Sequence, residues 1–470
     1  MKRLFITATA AFIMLFCTTN SSFGQLKSTA FTLKQAQDYA LENAYKTRTA
    51  NFDIAVAEKN RKQFITLGLP QINGSAKYNM YIDIPTQLMP NFLTPAVEGV
   101  LLQHGLIAPN QLTGASNDKF EVQFGSKHNF SGDLTASQLL FDGTFVVGLK
   151  AAAILVDLSK NAEVKSEIET REAVAQAYYL VLVAQANRSV LDSTLANMDR
   201  IYNQTKEFQK NGFMEETDVE QLSLIVSNLT NKRAMVDRQI ELANDLLKFQ
   251  MGIDLSEQIT LTDPLEDLVL RAIGANLSEK QFDANNHIDF QIMKTNAQLL
   301  KQTLKVDQSR YYPTLTCFFT TSRSAQRNEF NFFSGGDANK WYKTTIFGVN
   351  LSVPLWSSGN RLMKIQADKL NIEKHNIVLK QVEQALQLEV QSARSGLKTY
   401  TDQYRSEINN MALSKKIYDK NAYKFKEGMS SSMELNQAYT QYLTTQGNYF
   451  NCLLELLNSY SKLNKALNNY

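Results

Sequence analysis

The sequence predicts an α+β membrane protein built as a tandem repeat. Three observations predict it: a secretory leader, a segment order that occurs twice, and two-faced strand patterns longer than soluble sheets use. The chain has 470 residues, 44% hydrophobic and 20% charged, a folded rather than a disordered composition. Only 20 Gly and 8 Pro exclude collagen-like and Pro-rich chains, and 3 Cys are too few for a disulfide scaffold. Lys and Arg number 49 against 46 Asp and Glu, a formal charge of +3, without the cationic excess that nucleic-acid binding demands.

Residues 1–24 read as a signal peptide. Lys2-Arg3 precede an apolar stretch from Leu4 to Phe16, and Ser22 and Gly24 put small side chains before a cleavage at Gln25. Cys17 raises lipidation as an alternative, but the bulky Phe16 stands where lipoprotein processing wants a small residue. Past the leader no window of about 18 residues is continuously apolar, so no inner-membrane helix is expected. Cys317 falls in a strand pattern and Cys452 late in a helix pattern, and the architecture sets them apart.

The chain contains itself twice. Leu69-Pro70-Gln71-Ile72 closes a helical pattern begun near Phe31, and Tyr312-Pro313-Thr314-Leu315 closes one begun near Ile288. Downstream, Leu140-Phe141-Asp142 matches Leu355-Trp356-Ser357, Tyr202 matches Tyr418, and Gly212 with Asp218-Val219 matches Gly428 with Glu434-Leu435. The first repeat spans 25–252, with strands at about 71–84 and 120–138 and helices at about 144–211 and 215–251. A linker at 253–280 holding Asp263-Pro264 precedes the second repeat, 281–470, with strands at about 314–322 and 341–353 and helices at about 360–427 and 431–468.

A helix from Thr144 to Asn211 would reach on the order of 100 Å, too long for a globular domain. Along it Val174, Ala177, Val181, Ala184, Arg188, Leu191, Leu195, Met198, Tyr202 and Thr205 alternate spacings of three and four, a heptad seam. Val390, Ala393, Leu397, Tyr400, Tyr404, Glu407, Met411, Ser414 and Tyr418 keep that period in the second repeat. Coiled-coil packing follows, with a solvated bundle helix as the plainer alternative. Gly212 and Gly428 stop the long helices, and Thr217 or Ser431 suits the start of the next one.

The strand patterns alternate strictly. Ile72, Gly74, Ala76, Tyr78, Met80, Ile82 and Ile84 oppose Gln71, Asn73, Ser75, Lys77, Asn79, Tyr81 and Asp83. A second run sets Phe120, Val122, Phe124, Phe130 and Leu134 against polar neighbours and is interrupted at Ser126 and His128. Apolar-out, polar-in alternation over about ten residues is the mark of outer-membrane strands. Four such strands cannot close a barrel, and an open edge facing hydrocarbon leaves backbone groups unpaired at several kcal/mol each. Other copies of the chain are the simplest suppliers, two giving eight strands and three giving twelve. The competing soluble β-sandwich with a helical appendage would need a facing sheet, for which there are no spare strands. The inter-strand segments at about 85–119 and 324–339 read as long loops rich in Pro, Asn and Gly.

At this point the residues resemble a known family, the TolC-like outer membrane efflux proteins. Phe31-Thr32-Leu33-Lys34-Gln35-Ala36, Pro70, Leu140-Phe141-Asp142-Gly143, Pro354-Leu355-Trp356 and the two Gly-x5-Asp/Glu-Val/Leu tips carry the resemblance across essentially the whole mature chain. It implies a homotrimer whose strands share a 12-stranded outer-membrane β-barrel and whose helices form a periplasmic coiled-coil α-barrel. It further implies a passive export channel for small molecules or proteins, docking on a periplasmic adaptor protein and through it on an inner-membrane efflux pump or secretion ATPase. By position, Asp218, Glu434 and Gln437 would form the pore constriction, and Gly212, Phe213, Met214, Gly428, Met429 and Ser430 the adaptor-docking tips. Ser430 stands where relatives carry a basic residue that locks the closed state, and Gln437 dilutes the acidic ring. The plainer role of Asp218 and Glu434 is to favour helix N-termini.

No chemistry is legible. His104, His128, His287 and His375 lack metal-ligand spacing, and no Cys-x-x-Cys, phosphate-cradling Gly loop or nucleophile elbow occurs. No enzyme, no cofactor and no nucleic-acid partner is expected. The alternatives to an outer-membrane duct are a non-conducting coiled-coil surface or adhesion protein anchored by a shared barrel, and a soluble periplasmic adaptor.

Overall fold

The computed structural model describes residues 29–90, 93–112, 119–275, 280–336 and 340–470. The leader expected at 1–24, Cys17 included, lies outside the described residues. In chain order the described elements are β1 (Thr29–Phe31), α1 (Leu33–Asn43), α2 (Tyr45–Thr66), β2 (Gln71–Met80), β3 (Thr86–Pro90), α3 (Leu93–Gln103), β4 (Lys119–Gln123), β5 (His128–Asp142), α4 (Gly143–Lys210), α5 (Glu216–Met251), β6 (Ile259–Leu261), α6 (Leu265–Gly274), α7 (Ile288–Ser309), β7 (Thr314–Arg327), β8 (Tyr342–Ser352), α8 (Asn360–Lys426) and α9 (Ser432–Ala466). Two compact units result, and neither corresponds to one repeat. One takes residues up to Glu58, Ile154–Leu299 and Asn371–Tyr470; the other takes Lys59–Ala153 and Leu300–Leu370.

The first unit is helical, and its long helices are held by packing, since most helical stability in proteins comes from a buried face rather than from propensity. The heptad seam is what they bury: Val174, Ala177, Val181, Leu191, Met198 and Thr205 of α4, and Val390, Leu397, Ser414 and Tyr418 of α8, are all buried. One core lies around residues 174–183, where Tyr178, Tyr179, Leu182 and Val183 are buried as well as the seam. They are covered by the supposed linker, which is not a linker. β6 pairs in parallel with β1, Phe31 opposite Leu261, and α6 buries Leu268, Val269 and Ala272 in the same core as Ala36 and Ala40 of α1. Tyr178 donates its hydroxyl to the Phe31 carbonyl at 3.0 Å and to Asp263 at 3.1 Å, so the Asp263-Pro264 pair is a core fastening.

α5 ends at Gly252, which takes φ +73° so that Ile253 N–H reaches the Lys248 carbonyl at 2.9 Å. Arg188, an oddity in an apolar seam, is explained by charge. It meets Asp237 of α5 at 2.5 Å, while Arg233 of α5 meets Asp192 at 2.6 Å.

The second unit carries the sheet, four antiparallel strands in the order β2-β5-β7-β8. β2 and β8 are its edges. The register puts Ile72, Ala76, Tyr78, Leu134, Ala136, Phe319, Phe347 and Val349 on one face, and Asn73, Ser75, Lys77, Asp133, Thr135, Thr320, Ser322 and Asn350 on the other. Ile72, Leu134, Phe347 and Val349 are exposed, an apolar face that no described residue covers. On the polar face the Phe318 ring lies over Gly348, where a Cβ would come within 2.5 Å of it. Below the sheet, Phe64 of α2 and Phe145 of α4 stack at 5.7 Å, each ring filling the space over a glycine of the other segment, Gly148 and Gly68.

The strand expectations needed four corrections. The run at 71–84 stops at Met80, which pairs with His128, the first residue of its partner β5. The run at 120–138 is two strands, parted where Gly125 takes φ +127°. The later of them continues to Asp142, absorbing Leu140 as a bulge. The run at 314–322 extends to Arg327, since β5 lies beside it as far as the His128–Arg327 pair. The region expected as a loop at 85–119 holds β3, α3 and, from Lys119, the start of β4, with β3 and β4 paired antiparallel.

Candidate functional site

The helix tips of the two hairpins are built alike, from the chain's own turn chemistry. Gly212 at φ +80° and Gly428 at φ +70° close α4 and α8. In the first, Phe213 N–H donates to the Phe208 carbonyl and Gly212 N–H to the Gln209 carbonyl; in the second, Met429 N–H donates to Lys424 and Gly428 N–H to Phe425, at 2.8–3.1 Å. Both are the paired 6→1 and 5→2 closures that require a left-handed residue, hence glycine. The next helices start differently. Ser431 caps α9 by accepting from the Glu434 N–H at 3.2 Å. Thr217, expected in the same role for α5, lies inside the helix, and Glu215 is the cap residue, with no side-chain cap bond.

One core holds the two tips. Leu191, Met198 and Ile201 of α4, Leu222 and Ile225 of α5, Tyr418 and Phe425 of α8, and Leu435, Tyr439 and Tyr442 of α9 pack together. Tyr418 and Tyr442 stack at 5.6 Å, and Asn197 donates to the Tyr418 hydroxyl at 3.3 Å. Burial pushes the Tyr418 and Tyr439 hydroxyls up to about 12, so both stay protonated donors at any physiological pH.

Around this core the sequence-chosen residues divide. Glu434 and Gln437 are exposed on α9, Asp218 is half-buried in the first turn of α5, and Phe213 and Met429 stand 80% and 66% exposed. Met214 instead packs against the core. Ser430 is brought directly to the acidic position: its hydroxyl donates to Glu434 Oε2 at 2.6 Å. The sequence offers Ser430 as a tip residue and as the place of an absent base, not as a partner of Glu434; its i, i+4 spacing from Glu434 is the signal for that bond. A second feature went unread, a shallow depression on α8 lined by Lys415, Lys416, Lys420, Lys424, Tyr423 and Met429. Its spacing in sequence is legible once the helix is known.

Among the described residues no group of three or more His, Cys, Asp or Glu side chains is placed to hold a metal ion. No described helix is long and apolar enough to cross a membrane.

The chain thus carries a four-stranded sheet with an apolar face left uncovered among the described residues, and two long helical hairpins. Residues 284–469, nearly the whole second repeat, match the family model described as outer membrane efflux protein. Solved structures match across 93% of the chain. They include CusC, in a study of folding and transmembrane channel formation, at 15% identity, 91% of that chain and a TM-score of 0.65. The CmeC outer membrane channel of Campylobacter jejuni matches at 17% identity, 85% of its length and 0.64. The outer membrane protein VceC of Vibrio cholerae matches at 13%, 95% and 0.63. No curated protein matches by sequence. The chain thus carries an outer membrane efflux protein domain in its second repeat and the fold of these outer membrane proteins along its length. The TolC-like resemblance, the α+β fold class and the outer-membrane location rest on these findings.

Proposed function

We propose that the protein is a passive export duct. Three copies pool their sheets into a 12-stranded barrel, and their helices form a periplasmic tunnel gated at its tip. The observation that carries this reading is the sheet itself: β2 and β8 are edges, and Ile72, Phe347 and Val349 stand exposed on a face that only lipid suits. Cyclic pairing of β8 with β2 of a neighbour removes both edges and necessarily encloses a lumen lined by the polar face.

Asp218, Glu434 and Gln437 ring the constriction in this reading. Threefold symmetry turns each carboxylate into three, which concentrates cations at the aperture and opposes closure. Ser430 holds Glu434 in place without neutralising it. The tips at Gly212, Phe213, Met214, Gly428, Met429 and Ser430 dock a periplasmic adaptor, with exposed Phe213 and Met429 as anchors, and the adaptor links the duct to an inner-membrane pump or secretion ATPase. The protein in this role selects by passage and does no chemistry.

Purified protein in planar bilayers tests the reading. Discrete cation-favouring single-channel steps are expected, with Asp218→Ala and Glu434→Ala reducing the cation preference. Complete silence of the wild type and both variants overturns the duct in favour of a non-conducting anchor.

A further inference from the structure

Two cations stand where an outer-membrane sheet should have none. Arg323 of β7 and Lys343 of β8 are direct cross-strand partners, and both are exposed. The register places them on the apolar face, with Thr321 and Ala325 flanking Arg323 and with Phe319 and Phe347 further along. Like charges directly opposite each other destabilise a ladder, and cations on a lipid-facing side do so again. Neither residue makes an ion pair among the described residues, and no Asp or Glu occurs on this face of the four strands. Asp133 and Asp142, the sheet's carboxylates, register with Ser322 and Thr314 on the polar side. A neighbouring copy cannot help by edge pairing, since β2 from Gln71 to Met80 contains no Asp or Glu. No described residue of the sheet supplies the counter-charge.

The position points to a source. Arg323 and Lys343 lie toward the loop end of the sheet, away from the helices that flank Gln71, Asp142, Thr314 and Ser352. An aromatic band sits at that end: Trp341 packs on Phe130 at 5.7 Å and on Phe332 at 6.3 Å, while Phe332 also covers Arg327, whose charge is thereby occupied. Trp and Tyr bands mark the level of lipid headgroups, and a long cationic side chain beside one extends to that level.

We infer that Arg323 and Lys343 form a clamp for the phosphorylated headgroup of an outer-leaflet lipid, resting on the membrane orientation given under Proposed function. The pair presents a guanidinium fork and a point charge side by side, the donor set that suits a phosphate monoester. The acyl chains then cover the exposed apolar residues below.

Lipid binding to the full-length oligomer in detergent, followed by native mass spectrometry, tests this. The probe is diphosphorylated lipid A, with its dephosphorylated form and inorganic phosphate as the other arms. Wild type is expected to retain the diphosphorylated lipid and to release the dephosphorylated form. Each of Arg323→Gln and Lys343→Gln should weaken retention about fivefold, and the double variant about 25-fold. Lys343→Glu, which supplies Arg323 with a cross-strand partner, should assemble fully yet lose the lipid, whereas Lys77→Gln on the polar face should bind like wild type. Equal retention of both lipids, unchanged binding in the variants, or displacement by millimolar inorganic phosphate overturns the clamp. Channel conductance separates the two levels: a conducting double variant that still retains lipid refutes the clamp alone. A wild type that forms no oligomer and no channel refutes the membrane reading, and the clamp with it.

Discussion

At the scale of single residues, glycines and buried carboxylates carry the sharpest consequences. Gly252 and Gly212 both take positive φ, yet they are not equivalent. A Cβ on Gly252 would meet the Asn43 carbonyl oxygen at 2.2 Å, whereas one on Gly212 meets nothing within 4 Å. Gly212→Ala should therefore cost about 1 kcal/mol, the left-handed penalty alone, and Gly252→Ala at least ~3 kcal/mol, measured by denaturant unfolding. Asp307 of α7 and Asp368 of α8 are both buried and face one another, with Arg310 at 2.7 Å and Lys364 at 3.8 Å from Asp307. Burial, and then the hydrogen-bonded Asp368 carboxyl, push the Asp307 carboxyl above its ordinary 3.8. A raised folded-state pKa means that the folded protein holds this proton more tightly than the unfolded chain. The contribution to stability is thus complete below 3.8 and is lost as pH rises through the raised value. Asp307→Asn should flatten that dependence and unfold at a higher temperature than wild type at pH 8. A steeper decline with pH in the variant would refute the raised Asp307 pKa.

At the scale of elements, the hairpin tips divide the proposed docking role from packing. Phe213 and Met214 are adjacent, but only Met214 touches the core beneath. Met214→Ser should lower stability by about 1–2 kcal/mol. Phe213→Ser should leave unfolding unchanged and weaken adaptor capture, read as the amount of adaptor cross-linked at the tip. The long helices and their glycine stops were legible in the sequence because heptad spacing and a left-handed stop are local properties. The role of 253–280 was not legible: three residues of β6 and ten of α6 give too short a pattern, and their pairing with β1 and α1 joins segments more than 200 residues apart. The hairpin of β3 and β4 was hidden for a related reason, since its partners flank α3 and neither strand exceeds five residues.

At the scale of the whole molecule, the proposed barrel makes the two faces of the sheet unequal. Phe347 and Thr344 both lie on edge strand β8, on opposite faces by register. A lysine at a lipid-facing position deep in the bilayer costs about 2–4 kcal/mol, and one facing a water-filled lumen costs little. Phe347→Lys should abolish the detergent-resistant oligomer in membrane fractions, and Thr344→Lys should preserve it. The reverse result would exchange the lumen and lipid faces and with them the lipid clamp.

The chain by itself determined its doubling, its long helices, its glycine stops and the alternation of its strands, because each follows from spacing within one segment. Only the tertiary structure decided where strands end, which residue caps α5, and that Ser430 grips Glu434. The same holds for the pairing of Arg323 with Lys343 on an apolar face. Those outcomes depend on which distant backbone lies alongside, and no periodicity within a segment encodes its neighbour.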